Sequence, residues 1–176
     1  MQDKASYAEA IGRKYPEQIV VAIARHPDGK DNPVTLGWSM ITSGAPPMLA
    51  IAVRTSHYST EAILAAREFV IAFPSVEMAD VALYFGSVSG RDADKLAESG
   101  ATTQPANEIE TVLLSDAVAN FECVLEEAVL TGDHWLFVGR VVAAHANTDP
   151  KVGRLYSLGG GSVGAVKRGT ARATRS

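Results

Sequence analysis

The sequence has a single cysteine, Cys123, among its 176 residues, so no disulfide can form within the chain. This scarcity of thiols suits the cytosol. An excess of positive charge is also missing, because the formal net charge is −4, whereas a nucleic-acid-binding protein is expected to carry a basic face. No apolar run approaches the length of a membrane span, and the polar first residues lack the apolar core of a signal peptide. These absences argue against nucleic-acid and membrane partners, and they favour a cytoplasmic protein.

Recognisable metal-binding and nucleophile motifs are missing as well. The four histidines and the one cysteine do not fall at metal-ligand spacing. Cys123 lies inside an apolar strand pattern, which predicts a buried, inert thiol. Serine, histidine and aspartate are present, but no nucleophile-elbow pattern surrounds any serine. The sequence therefore predicts neither a metal site nor a hydrolase triad.

Length and composition predict one domain. Apolar residues make up 47% of the chain and charged residues 20%, which is ordinary for a globular protein that buries a sizeable core. No internal repeat or linker divides the chain. We place the domain at residues 1–166 and interpret the basic residues 167–176 as a loose tail; the alternative role of this tail is binding an anionic partner.

Strand patterns outnumber helix patterns. Dense apolar and β-branched runs predict strands over residues 19–24, 34–42, 48–53, 69–73, 118–130 and 135–144. Helices are predicted over residues 4–14, 61–68 and 77–85, with Ile63 and Leu64 of the second helix pointing inward, and a polar loop over 86–95. Several hairpins and few helices favour a mainly β protein, namely an antiparallel β-barrel with helices packed outside.

A glycine-rich string near the end of the chain matches G-x-G-x-x-G over residues 159–164. A dinucleotide-binding fingerprint would need a helix, a second strand and an acidic residue after it, and only twelve residues follow. We therefore interpret this string as a flexible closing loop.

The run from Arg54 to Thr60 carries the chemistry that a phosphate needs. Arg54 supplies forked donors and charge, and the hydroxyls of Ser56, Ser59 and Thr60 supply further donors at the start of a predicted helix. Two alternatives stay open, since Ser59 or Thr60 can simply cap the helix, and Arg54 can form a surface ion pair. Lys95, in a later polar segment, is a further phosphate candidate, and its alternative is a solvated charge cluster.

Several segments together resemble the flavin reductase-like family, the FMN-binding split β-barrel proteins, and within it the flavoredoxin-like branch. The resemblance runs from about residue 19 to about residue 161. No single motif is specific, but the ordered set is. In chain order the matching residues are Asp28-Gly29-Lys30, Asn32, Thr35, Trp38-Ser39-Met40, Pro46-Pro47, Arg54, Ser56, Ser59, Thr60, the 69–73 strand, Gly86, Ser89-Gly90-Arg91, Asp94-Lys95, Phe121-Glu122-Cys123, Gly132-Asp133-His134 and Val138-Gly139-Arg140-Val141.

The resemblance implies a mainly β, antiparallel split β-barrel of Greek-key type with a few peripheral helices. It also implies a homodimer with FMN, or alternatively FAD, bound at the barrel edge near the subunit interface. The hydride donor would be NAD(P)H, and a partner monooxygenase or electron-transfer protein would be a further expectation.

The residues can be assigned to parts of such a cofactor. For the flavin ring we favour Trp38, Ser39, Met40 and Thr42, mainly through backbone groups, with a core role for Trp38 as the alternative. His134 is the candidate catalytic side chain near the nicotinamide, and its alternative is a turn histidine with no chemistry.

Hydride transfer to flavin needs no general acid or base from the protein, because the cofactor carries the chemistry. The first functional hypothesis is therefore an NAD(P)H:flavin oxidoreductase that uses FMN. The alternative is a non-catalytic FMN electron carrier, and a third hypothesis is a divergent binder of another phosphorylated or heme-like ligand.

Overall fold

The structure, a computed structural model, describes residues 1–166; the predicted basic tail, 167–176, lies outside the described residues. The strands are β1 Glu17–Gln18, β2 Val20–Arg25, β3 Asp31–Leu36, β4 Ser39–Gly44, β5 Pro47–Arg54, β6 Glu68–Phe73, β7 Thr103–Pro105, β8 Val112–Leu114, β9 Ala119–Thr131, β10 His134–Ala146, β11 Tyr156–Gly159 and β12 Ser162–Gly164. The α-helices are α1 Tyr7–Ile11, α2 Tyr58–Ala66, α3 Ala79–Ser87 and α4 Lys95–Ser99, and a 3-10 turn covers Val76–Met78.

Seven strands form one antiparallel sheet in the order β3-β2-β6-β9-β10-β5-β4. The two longest strands, β9 and β10, pair along most of their lengths at its centre. The prediction of a mainly β, antiparallel protein with few helices is thus confirmed. Among residues 1–166 no strand pairing joins the edge strands β3 and β4, so a hydrogen-bonded closed barrel is not shown.

The sheet is nevertheless strongly curled. Strands β3 and β4 lie at opposite edges of the sheet, yet only Gly37 and Trp38 separate them in the chain. Three residue steps span at most about 11 Å, so the two edges must come within that distance of each other.

Close packing between three strands fixes the middle of the sheet. A Cβ added at Gly139 of β10 would lie 2.7 Å from Cys123 Cβ and 2.7 Å from Phe69 Cζ. Phe69 and Cys123 are fully buried, and burial raises the pKa of the Cys123 thiol to about 12. The predicted inert thiol is confirmed, and it belongs to the core.

The short helices pack on the sheet rather than form a layer of their own. Helix α2 lies against β2, and α3 lies against β3. Ala62 and Ile63 of α2 are buried, whereas Leu64 is exposed, so the prediction that Leu64 points inward is wrong. Leu64 lies one helical step beyond the two residues that face the sheet. No helix among residues 1–166 is long and apolar enough to cross a membrane.

Three other sequence predictions are corrected. The single strand expected over 34–42 is two strands, because the chain leaves one sheet edge at Gly37 and Trp38 and joins the other. The expected loop over 86–95 ends in helix α4, whose first residue is Lys95 and whose N-cap is Asp94. The glycine string, predicted as a flexible loop, belongs to a hairpin in which β11 pairs with β12. Strand β11 also pairs with β1 on its other side.

Candidate functional site

Lys95 is a buried lysine at the wall of a cleft. It is 4% exposed, its Nζ donates a hydrogen bond to the Phe85 carbonyl at 3.1 Å, and no carboxylate of residues 1–166 lies within ion-pair distance of it. Burial lowers its pKa to about 8. The alternative of a solvated charge is therefore wrong. Lys95 shares a cleft of about 180 Å³ with Ser56 and Ser59, and a buried cation without a counterion favours an anionic ligand there.

The N-terminus of helix α2 opens into the same cleft. Its N-cap is His57, which makes no side-chain capping bond, so the alternative that Ser59 or Thr60 caps the helix is wrong. The Thr60 hydroxyl instead donates to the Arg54 carbonyl at 2.8 Å, and Thr60 does not line the cleft. First-turn N–H groups without a side-chain cap are available to an anion.

Ser59 is held as a donor toward the cleft. Its Oγ accepts a hydrogen bond from Asn32 Nδ2 at 2.8 Å, and both residues are buried. Because the oxygen already accepts from Asn32, the hydroxyl proton of Ser59 is free to donate to a ligand. Asn32 belonged to the matching motifs but carried no predicted role in the site.

A glycine lets the segment after α3 close over this helix end. A Cβ added at Gly90 would lie 2.1 Å from Asn32 Oδ1 and 2.8 Å from Tyr58 Cδ1. Gly86, Val88 and Gly90 line the cleft opposite α2. The sequence signals this segment only as a polar, glycine-bearing loop, which does not show the close approach.

Positive side chains converge on His57. Its pKa is lowered, first by burial and then by the charges of Arg54, His134, Lys95 and Arg91, in that order. The neighbourhood of the cleft is thus cationic although the whole chain carries a net charge of −4.

Three of these side chains have carboxylate partners, since His134 and Arg54 both contact Asp133. Arg91 pairs with Glu61. Arg54 Nη1 lies 3.4 Å from Asp133 Oδ2, so the surface ion pair that we held as its alternative is present. Arg54 is about half exposed and does not itself line the cleft. An exposed ion pair of this kind is weak, and the guanidinium can turn toward an anion in the cleft.

His134 lies at the junction of this cationic region and Trp38. It stands opposite Arg54 in the register of β10 and β5. Its Nδ1 is 2.6 Å from Asp133 Oδ1, and this hydrogen bond is the largest cause that lowers the pKa of Asp133. The imidazole packs on the Trp38 ring at 4.6 Å between centroids. Trp38 is 48% exposed, so its alternative role as a core aromatic is wrong.

Strand β4 presents a free backbone edge next to Trp38. The Trp38 carbonyl accepts from Ala52 N at 2.9 Å, so the next residue, Ser39, turns its backbone groups away from β5. There the Ser39 carbonyl accepts from Gln18 Nε2 at 2.6 Å, and Ser39 Oγ accepts from the same nitrogen at 2.9 Å. Met40 is exposed. Thr42 lies within the irregularity that shifts the register between Ile41 and Ser43.

The structure thus brings the predicted residues together in two neighbouring groups. Lys95, Ser56 and Ser59 line the cleft, with Arg54 and Thr60 behind it. The second group is Trp38, Ser39, Met40, Thr42 and His134.

Comparisons with known proteins identify the family and the fold. The family described as flavin reductase like domain matches residues 12–161. An uncharacterized protein of Archaeoglobus fulgidus is 31% identical over 113 residues, which cover 64% of each chain; the chain therefore spans less than two thirds of that relative.

Two solved structures share the fold. An FMN-binding protein from Thermus thermophilus is 27% identical, with a TM-score of 0.86, covering 98% of this chain and 100% of its own. Flavoredoxin from Methanosarcina acetivorans is 24% identical with a TM-score of 0.87, covering 98% and 95%.

Replacement of the buried ammonium should remove anion binding from the cleft. We expect sulfate, which stays a dianion, to bind the protein more weakly as the pH rises from 7 to 10, because Lys95 loses its proton from about pH 8 upward. Lys95→Met should bind sulfate weakly and with little pH dependence, as calorimetric titration would measure. The exposed Lys30→Met is the control and should behave like the wild type.

Stability gives an independent check on the same group. The folded-state pKa of Lys95 is lower than the ordinary lysine value of 10.5, so the unfolded chain binds more protons between about pH 8 and that value. The contribution of Lys95 to the free energy of unfolding should therefore rise with pH over this window. The free energy of unfolding of the wild type relative to Lys95→Met should show this rise, because the opposite contribution of the Cys123 thiol above about pH 9 is common to both proteins. Sulfate affinity that is unaffected by both pH and the substitution would contradict the assignment.

Proposed function

The chain belongs to the flavin reductase-like family, and from that premise we propose that it is an FMN-binding oxidoreductase which transfers hydride from NAD(P)H to flavin. The similarity to an FMN-binding protein at 27% identity supports FMN as the flavin. The observation that carries the proposal is the buried, unpaired Lys95 in a cleft beside the uncapped start of α2.

The residues present fit the phosphate of FMN. A phosphate dianion would meet the Lys95 ammonium, the free Ser59 hydroxyl and the first N–H groups of α2. The charge of Arg54 acts on His57, which lines the cleft, so it would also act on a phosphate there. Ser56 adds a further hydroxyl to the lining. Thr60 would act indirectly in this proposal, since its hydroxyl holds the Arg54 carbonyl.

The ring would lie along the second group of residues. When bound, FMN supplies the hydride-accepting chemistry. The edge of β4 offers the Ser39 N–H, since the Ser39 carbonyl already accepts from Gln18, and neighbouring Met40 and Trp38 offer apolar surface. The protein's part is to bind, orient and exclude water, which agrees with a site that has phosphate donors and no catalytic triad.

His134 is the residue that we assign to the nicotinamide. Its hydrogen bond to Asp133 and its packing on Trp38 hold the imidazole in one orientation. An imidazole fixed on one side by a carboxylate can still use its other nitrogen to contact a second ligand.

Flavin uptake and bleaching test the proposed function. The protein should bind FMN more tightly than riboflavin and become colourless when NADH or NADPH is added without oxygen. Arg54→Ala should weaken FMN binding by roughly 10- to 150-fold, since one charge-assisted contact is worth about 1.5–3 kcal/mol, and it should leave riboflavin binding unchanged. Fluorescence titration measures both affinities.

The outcomes separate the hypotheses. Equal weakening of FMN and riboflavin binding by Arg54→Ala would refute the phosphate assignment. A yellow protein that neither nicotinamide bleaches would favour the FMN electron carrier. A colourless protein that takes up no flavin would overturn both.

His134→Ala should slow reduction by NAD(P)H while flavin affinity stays nearly constant. The reason is that an interaction made only with the hydride donor cannot hold the flavin. Stopped-flow absorbance would measure the reduction rate. If the rate is unchanged, or if flavin is lost instead, His134 has another role.

A homodimeric split barrel is the remaining part of the proposal. Trp38, which packs on His134, and Val129, which lies on the same face of the β9–β10 pair as His134, are exposed apolar side chains, and a second copy that covers them would complete a slot for the ring. The curled sheet supports the barrel. Light scattering should give twice the chain mass, and an FMN-loaded monomer would rule the dimer out. A cytoplasmic location and an electron-transfer or monooxygenase partner belong to the same proposal.

A further inference from the structure

Arg154 is a second cation without a carboxylate partner, and it lies apart from the Lys95 cleft. No carboxylate of residues 1–166 lies within ion-pair distance of its guanidinium. Its Nε is buried and has no hydrogen-bond partner among these residues. Burial lowers the pKa of this guanidinium. Arginine in such a setting is normally matched by a carboxylate or phosphate.

The guanidinium is fixed in place by its surroundings. It stacks on the Phe73 ring at 4.0 Å from the centroid, with the Tyr156 ring at 5.4 Å. Its Nη2 donates to Gln18 Oε1 at 3.1 Å. The backbone on either side is tied to the chain after β6, because Val76 N donates to the Gly153 carbonyl and Leu155 N to the Pro74 carbonyl. The positive charge is therefore held in place before any ligand arrives.

An apolar groove lies against this charge. Its volume is about 230 Å³, and Arg154 and both of its contacts, Gln18 and Phe73, line it. The rest of the lining is mostly apolar and includes Met40 and Ile71. A groove with one cation and otherwise apolar walls matches a ligand with one anionic group on an apolar body.

We propose that this groove is a binding site for small organic carboxylates whose apolar body packs on Phe73 and Met40 while the carboxylate pairs with Arg154. The guanidinium fork matches a carboxylate in two parallel hydrogen bonds. Gln18 positions Arg154 through Nη2 and at the same time donates to the Ser39 carbonyl. The site therefore adjoins the edge of β4, where it shares Ser39 and Met40 with the surface proposed for the flavin ring, and it shares no lining residue with the Lys95 cleft.

Calorimetric titration of the full-length protein with benzoate tests the site. Benzoate should bind at least about tenfold more tightly than the isosteric neutral benzamide, because benzamide has no charge to pair. It should also bind at least about tenfold more tightly than acetate, which buries no ring. Benzamide binding as tightly as benzoate would overturn the role of Arg154, and acetate binding as tightly would overturn the role of the groove.

Three variants assign the binding to Arg154. Arg154→Gln should lose the preference for benzoate over benzamide. Gln18→Glu should lose it too, because the new carboxylate pairs with the guanidinium internally while Arg154 stays in the chain. Lys151→Gln removes an exposed positive charge three residues away and should keep the wild-type preference. A preference for benzoate that survives Gln18→Glu would refute the site.

The result is separable from the proposed function. The benzoate titrations are run on flavin-free protein, because the groove shares Ser39 and Met40 with the proposed ring surface, and FMN binding is titrated separately. If benzoate shows the expected preference and FMN does not bind, only the proposed function fails. If FMN binds and benzoate shows no preference over benzamide, only the Arg154 site fails.

Discussion

The two-residue connection between β3 and β4 is the constraint from which the rest of the site follows. Gly37 and Trp38 join strands that lie at opposite edges of a seven-stranded sheet. A link that short forces the sheet to curl until its edges are neighbours. Trp38 then lies in the seam between them, where its ring meets His134 from the end of β10. The pairings hold these two side chains together, because the Trp38 carbonyl accepts from Ala52 N and His134 stands opposite Arg54, two residues further along β5.

Two short helices on the curled sheet, together with the segment that follows α3, enclose the Lys95 cleft. Helices α2 and α3 cover β2 and β3, and the segment after α3 approaches α2 closely enough that only glycine fits at position 90. This approach encloses the Lys95 ammonium and removes it from water. Burial of an unpaired ammonium is costly, so the fold retains a destabilising group at the place where several positive charges meet.

Two kinds of cation differ most among residues 1–166. Arg25, Arg91 and Arg140 pair with carboxylates near the surface. Lys95 is buried, and Arg154 is partly buried with a buried Nε; both lack such partners among residues 1–166, although acidic residues outnumber basic ones in the sequence. Each lines its own hollow, and β4 lies beside the one at Arg154. A cation that is at least partly removed from water and has no carboxylate partner is the physical feature that these two hollows share.

The sequence by itself determined the local elements. Dense β-branched runs specified β2 and β6, turn residues between two long apolar runs specified the β9–β10 hairpin, and the Arg54-to-Thr60 run located the phosphate candidates. These features depend on neighbours in the chain, so composition and spacing reveal them. The family resemblance, carried by motifs in order, was also visible at this level and is confirmed.

Only the tertiary structure decided which of these residues lie close together in space. The bond from Asn32 to Ser59 joins residues 27 positions apart, and the one from Arg154 to Gln18 joins residues 136 positions apart. Three alternatives that the local sequence left open were ruled out by the structure: Lys95 is buried, Trp38 is exposed, and the N-cap of α2 is His57. The physical reason is that burial and unpaired charge depend on contacts between distant segments, which no local pattern of residue types encodes.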